Sequence, residues 1–125
     1  MDLHNIMDDE VLYRAVLKTI PNGFINGRPT AALFMDPKGV SVDRDGARSE
    51  NVIIDSFKYR FRKNSIFIAA VKISAGECRL IRTYPKAIGN TNNKYHAEIH
   101  DSIDIVEISL TKAVLLASRC MVVKG

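Results

Sequence analysis

The chain has 125 residues, 46% of them apolar and 26% charged, a balance that fits one globular domain and excludes a disordered chain. No apolar run approaches the roughly 20 residues that cross a bilayer, and MDLHNIMDDE lacks the basic and apolar regions of a secretory signal. No membrane partner and a cytoplasmic location are therefore expected. The net charge of +4 is uneven: residues 44–86 hold ten Lys/Arg against four Asp/Glu, which predicts an anionic partner such as nucleic acid or a protein complex.

In chain order, residues 1–9 read as frayed or disordered. EVLYRAVLK (10–18) is β-branched, apolar and strand-length. Arg14 is its odd residue. A guanidinium among apolar neighbours needs a partner, so it is expected either to pair with Glu98 or Asp43 or to bind an anionic ligand. PNGFINGRP (21–29) is dense in turn formers and reads as a long loop. Asp36-Pro37-Lys38-Gly39 suits a type I turn, with Ala32-Leu33-Phe34 and Val40-Ser41-Val42 as the arms of a hairpin.

The spacing of Ile53, Phe57 and Phe61 predicts a helix over 49–63, with Ser49 as its N-cap and Glu50 in its first turn. Its end, KYRFRK, interleaves Lys58, Arg60, Arg62 and Lys63 with Tyr59 and Phe61. Cations for phosphate and rings for stacking are what a single-stranded nucleic-acid site uses. The plainer reading makes the phenylalanines the buried stripe and the cations a solvated, dipole-matched helix end.

SIFIAAVKI (65–73) reads as a central strand. Ser74 and Glu77 fit a capping box and a short helix. Cys78 and Cys120 lack a C-x-x-C partner and are expected as reduced core side chains. Glu77 beside Cys78 speaks against a nucleophile there, and Arg79 speaks for one. KAIGNTNN is expected as loop, and KYHAEIH and DIVEISL as two strands. TKAVLLASRC is expected as a helix over about 111–120, capped by Thr111 and stapled by Leu110 and Leu115. MVVK closes the chain as a last strand. The elements mix without β-α-β alternation, so the expected fold is a single α+β domain over 1–125. It would hold a mixed, mostly antiparallel sheet and two main helices.

YHAEIH (95–100) is the strongest candidate for chemistry. On a strand, His96, Glu98 and His100 share one face. Three readings stand open: the wet face of a strand, an acid–base or substrate-contact row, and a metal site needing one more ligand. The glutamate is one position late for H-E-x-x-H, and no phosphate-binding glycine loop or G-x-S-x-G elbow is present. No metal or cofactor is assigned.

The blocks Leu12-Tyr13-Arg14, Gly39-Val40-Ser41-Val42-Asp43-Arg44, Gly76-Glu77-Cys78-Arg79 and His96-Ala97-Glu98-Ile99 resemble a group of short bacterial proteins without an established activity. The opening LYR is also similar to that of small ADP-ribosyltransferase-like toxin domains, where an early Tyr-Arg strand helps bind a nicotinamide dinucleotide. A glutamate motif to complete such a site is lacking. These readings lead to a small bacterial binding or accessory protein for an anionic partner, nucleic acid or a complex that handles it. The alternative is a toxin-like RNase or nucleotide-dependent transferase, a toxin–antitoxin or defence candidate, using His96, Glu98, His100 and Arg14.

Overall fold

The structure is a computed structural model that describes residues 1–124. It is an α+β domain built on one six-stranded sheet. The strands of that sheet are β1 (Val11–Leu17), β4 (Val40–Arg44), β5 (Phe67–Ser74), β6 (Tyr84–Ala87), β7 (His96–His100) and β8 (Met121–Lys124). Their order is β6-β7-β4-β1-β5-β8, and every neighbouring pair is antiparallel. A two-stranded ribbon, β2 (Phe24–Ile25) with β3 (Arg28–Pro29), stands apart from it.

The two faces of the sheet bury different clusters. One face carries Leu12, Val16, Val40, Val42, Val71, Ala97 and Ile99 in the larger core. α3 (Leu110–Arg119) and a 3-10 turn (Ala31–Phe34) cover it through Leu116, Ala113, Leu33 and Phe34, and α2 (Ala75–Leu80) adds Cys78. The other face carries Tyr13, Ala15 and Ala70 against Ile53, Ile54 and Phe57 of α1 (Glu50–Arg60). α1 packs against β1 and β5, with Val123 of β8 at the edge of the same cluster. The rest of that face, on β4, β7 and β6, carries polar side chains.

α1 starts as its sequence dictates: Ser49 Oγ accepts the Val52 N–H, and Glu50 lies at the positive end of the helix dipole. α2 likewise begins at Ser74, whose Oγ accepts the Glu77 N–H. Six expectations are corrected. Residues 21–29, expected as a long loop, hold the β2–β3 ribbon, and α1 ends at Arg60 rather than at residue 63. Ala32–Phe34 is a 3-10 turn rather than a hairpin arm. Residues 104–110 form no strand, only bends leading into α3. The α3 cap is Ser109 rather than Thr111, and the staple residues Leu110 and Leu115 are exposed. Tyr84–Ala87 is an edge strand where its second half was expected as loop.

Residues 1–9, read from sequence as loosely attached, lie against the domain. Ile6 is buried in the larger core, and Asn5 O accepts a bond from Arg44. Arg44 is itself only 1% exposed and grips Glu10 with two nitrogens, one at 2.7 Å.

Candidate functional site

The sheet opens in its middle. β1 and β5 stay in register over six residue pairs, from Val11–Ser74 to Val16–Ala69, but β1 and β4 pair only at Leu12–Arg44 and Tyr13–Asp43. Beyond Tyr13 the two strands separate. Arg14 fills the head of the gap: its Nε donates to Leu33 O (2.8 Å) and its Nη1 to Ser41 O (2.9 Å). Ser41 would face Ala15 if the ladder continued, so a side chain has taken a backbone carbonyl of the strand.

A cleft of about 390 Å³ occupies the opening. Its polar lining is Arg14, Asp36, Ser41, Asp43, Arg60 and His96, and its apolar wall includes Leu17, Ile20, Phe57 and Phe61. Convergent polar groups against an apolar wall are what small-ligand sites share.

Arg14 carries the most telling electrostatics. Neither Glu98 nor Asp43 pairs with it, contrary to expectation; among the described residues no carboxylate lies within 4.0 Å. It keeps one edge at the surface, yet protein crowds it elsewhere. That burial pushes its guanidinium down from 12.5 to about 10, opposed only by the more distant Asp36. Two of its five N–H donors are committed to carbonyls, leaving three for a ligand.

The wall toward β7 is organised by Asp43, 3% exposed. Its Oδ2 pairs with Arg60 at 3.1 Å and Arg48 at 3.6 Å, and its Oδ1 accepts from Asn93 at 3.2 Å. On β7 the alternation read from sequence holds. Ala97 and Ile99 are fully buried, and His96, Glu98 and His100 share the opposite face. Register places Ser41 beside Glu98 and Asp43 beside His96. The Glu98 carboxylate lies between two imidazoles, 2.7 Å from His100 Nε2 and 3.7 Å from His96 Nε2. Gly39, at φ +101°, permits this: a Cβ there would sit 2.7 Å from Glu98 Oε1 and 3.1 Å from His100 Nε2.

Of the candidate residues, Arg14, His96 and Arg60 thus line one cleft. Glu98 and His100 stand beside it, joined to His96. Lys58, in the last turn of α1, and Arg62 and Lys63, in the bends that follow it, are exposed and lie outside it, with Arg62 folded over the Tyr59 ring. The charge of the middle third is partly spent internally: Arg44, Arg48, Arg60, Lys72 and Arg79 all pair with the chain's own carboxylates. Asp36, Ser41 and Asp43 went unassigned as cleft residues from sequence. The alternation in Val40-Ser41-Val42-Asp43 is the signal that places the last two on the face of His96.

Both cysteines are buried and free. Desolvation pushes the Cys78 thiol up to about 12 and that of Cys120 to about 11, so neither is an activated nucleophile. Among the described residues, no group of three or more His, Cys, Asp or Glu is arranged to hold a metal ion, and no helix is long and apolar enough to cross a membrane. No protein-family model, curated protein or solved structure matches this chain.

Proposed function

We propose that the protein binds a phosphate-bearing ligand, a nucleotide or a nucleic-acid strand, in the cleft between β1 and β4. The observation that carries this is Arg14: a crowded guanidinium with no carboxylate partner among the described residues, three free donors and a place in the wall of a polar cleft in the middle of the sheet. A desolvated cation is costly unless an anion completes it. Arg60 adds a second cation, and the part-exposed Phe61 offers an apolar wall against which a base would pack. The binding role expected from the basic middle third thus moves from the helix end to the cleft. Within this reading the chain is a small bacterial accessory protein that acts on or with nucleic acid in the cytoplasm.

Calorimetric titration with AMP and with a short single-stranded RNA tests it. Arg14→Gln is expected to weaken both at least about tenfold, the worth of a charge-assisted contact. Equal affinity in wild type and variant would remove the cleft from the account.

One observation favours a catalytic version. Glu98 between His96 and His100 is a proton-handling row, and His96 reaches the cleft. A phosphodiester cleaved by its own 2′-hydroxyl needs a base, an acid and a cation on the phosphorane. His96 would be the base held by Glu98 that takes the 2′-hydroxyl proton, Arg14 the cation, and solvent water the acid that protonates the departing 5′-oxygen. Release of a cyclic phosphate from RNA by wild type, abolished in His96→Ala, is the expected sign of that chemistry.

A further inference from the structure

A second depression adjoins the cleft and is unusual in its lining. It holds about 420 Å³ and is walled by Arg48, Ser56 and Arg60 on one side and by Thr91, Asn92, Asn93, Lys94 and Tyr95 on the other. Three cations, two amides and three hydroxyls line it, and no carboxylate does. Its cations are held in place from beneath. The buried Asp43 takes Arg48 and Arg60 on the same oxygen, so the two guanidiniums stand no farther apart than the sum of those contacts. Arg48 is further fixed by bonds to Arg44 O (2.7 Å) and Asp45 O (3.1 Å), and its guanidinium lies 3.5 Å from the centre of the Tyr95 ring. The loop opposite is shaped by Asn90, whose side-chain oxygen accepts from the N–H groups of Asn92 and Asn93. Lys94 is exposed and has no carboxylate within 4.0 Å among the described residues. One buried carboxylate against three cations leaves a local surplus of positive charge on a preorganised surface, the condition under which oxyanions are held.

Arg60 lines both this depression and the cleft. We infer that the depression is a second phosphate subsite continuous with the first, and that the ligand carries two phosphate groups, one at Arg14 and one between Arg48, Arg60 and Lys94. This rests on the cleft reading and deepens it from a single anion to a two-phosphate chain. Two sources share that chemistry: a pyrophosphate, with adjacent phosphates, and a strand, with phosphates one nucleoside apart.

The test is calorimetric titration with inorganic phosphate, inorganic pyrophosphate and the 5′-phosphorylated dinucleotide pUpU. The proteins are wild type, Lys94→Glu, Ser56→Asp and Arg14→Gln, each checked for an unchanged urea midpoint. Lys94→Glu and Ser56→Asp put a carboxylate in the depression without touching the Asp43 cluster. They are expected to weaken a two-phosphate probe at least about tenfold while leaving the single phosphate bound at Arg14 within about twofold. Loss confined to pUpU identifies a strand, and loss confined to pyrophosphate identifies a dinucleotide-type ligand; either supports two subsites. The inference is overturned if both variants bind pUpU and pyrophosphate as wild type does while Arg14→Gln does not, and the cleft reading then survives. If Arg14→Gln binds every probe as wild type does, the cleft reading fails and takes this inference with it.

Discussion

Replacing Arg14 by methionine separates a residue kept for a ligand from one kept for the fold. Methionine has similar reach and no charge. The depression of the guanidinium to about 10 measures what crowding costs the cation. At 1.36 kcal/mol per unit, and discounted for its exposed edge, that is about 2–3 kcal/mol, which the substitution relieves. Against it stand two bonds to Leu33 O and Ser41 O, worth about 1–1.5 kcal/mol each. The terms nearly cancel, so Arg14→Met is expected within about 1 kcal/mol of wild type. A buried arginine that had a carboxylate partner would leave that partner stranded, at about 3–5 kcal/mol. Urea unfolding followed by circular dichroism resolves the difference, since about 1 kcal/mol moves the midpoint by less than about 1 M. The same titration is then repeated with AMP. At a hundredfold excess over the wild-type Kd a ligand of the native state adds about 2.7 kcal/mol, expected in wild type and cut to about 1.4 kcal/mol or less in a variant that binds tenfold more weakly. A loss above about 3 kcal/mol, or an undiminished response to AMP, refutes the reasoning and makes Arg14 a clip between β1, β4 and the 3-10 turn.

Two further outcomes follow from the geometry. Glu10→Gln strands the guanidinium of Arg44, 1% exposed, and should cost about 3–5 kcal/mol in the urea assay, with Glu10→Gln/Arg44→Met recovering most of it. Cys78 should resist thiol reagents such as DTNB at pH 8 until the chain unfolds. Its folded value, about 12, lies above the ordinary 9.0, as that of Tyr13, about 12, lies above 10.0. The unfolded state therefore sheds protons first, and stability should fall as pH rises from about 9 to 12; a flat profile there contradicts the burial of both groups.

What the sequence made legible is what depends on local pattern. The stripe of Ile53 and Phe57 and the Ser49 cap set α1, and alternation in 96–100 put His96, Glu98 and His100 on one face. The misses are places where a neighbour overrules the pattern. Leu33 and Phe34 are adjacent and both buried; a strand would point them to opposite faces, whereas a 3-10 turn sends both into the core. Residues 104–110 are rich in strand formers. Asp101 instead closes a loop, accepting from the Ser109 N–H and Lys112, and Ile103 and Ile105 stay outside. Pro85 argues against a strand, but β6 is at the sheet edge, where a missing N–H is tolerated. The partners of Arg14 are two backbone carbonyls far along the chain, which no residue type announces.

The short β1–β4 ladder has a mechanical meaning. It makes the sheet two three-stranded leaves, β6-β7-β4 and β1-β5-β8, stitched at two residue pairs. A molecule lodged beside the stitch would lie between the leaves and touch strands of both. Leu33 rides on one side of that seam and Phe57 on the other. The seam thus adjoins both layers that cover the sheet, one through Leu33 and the other through Phe57.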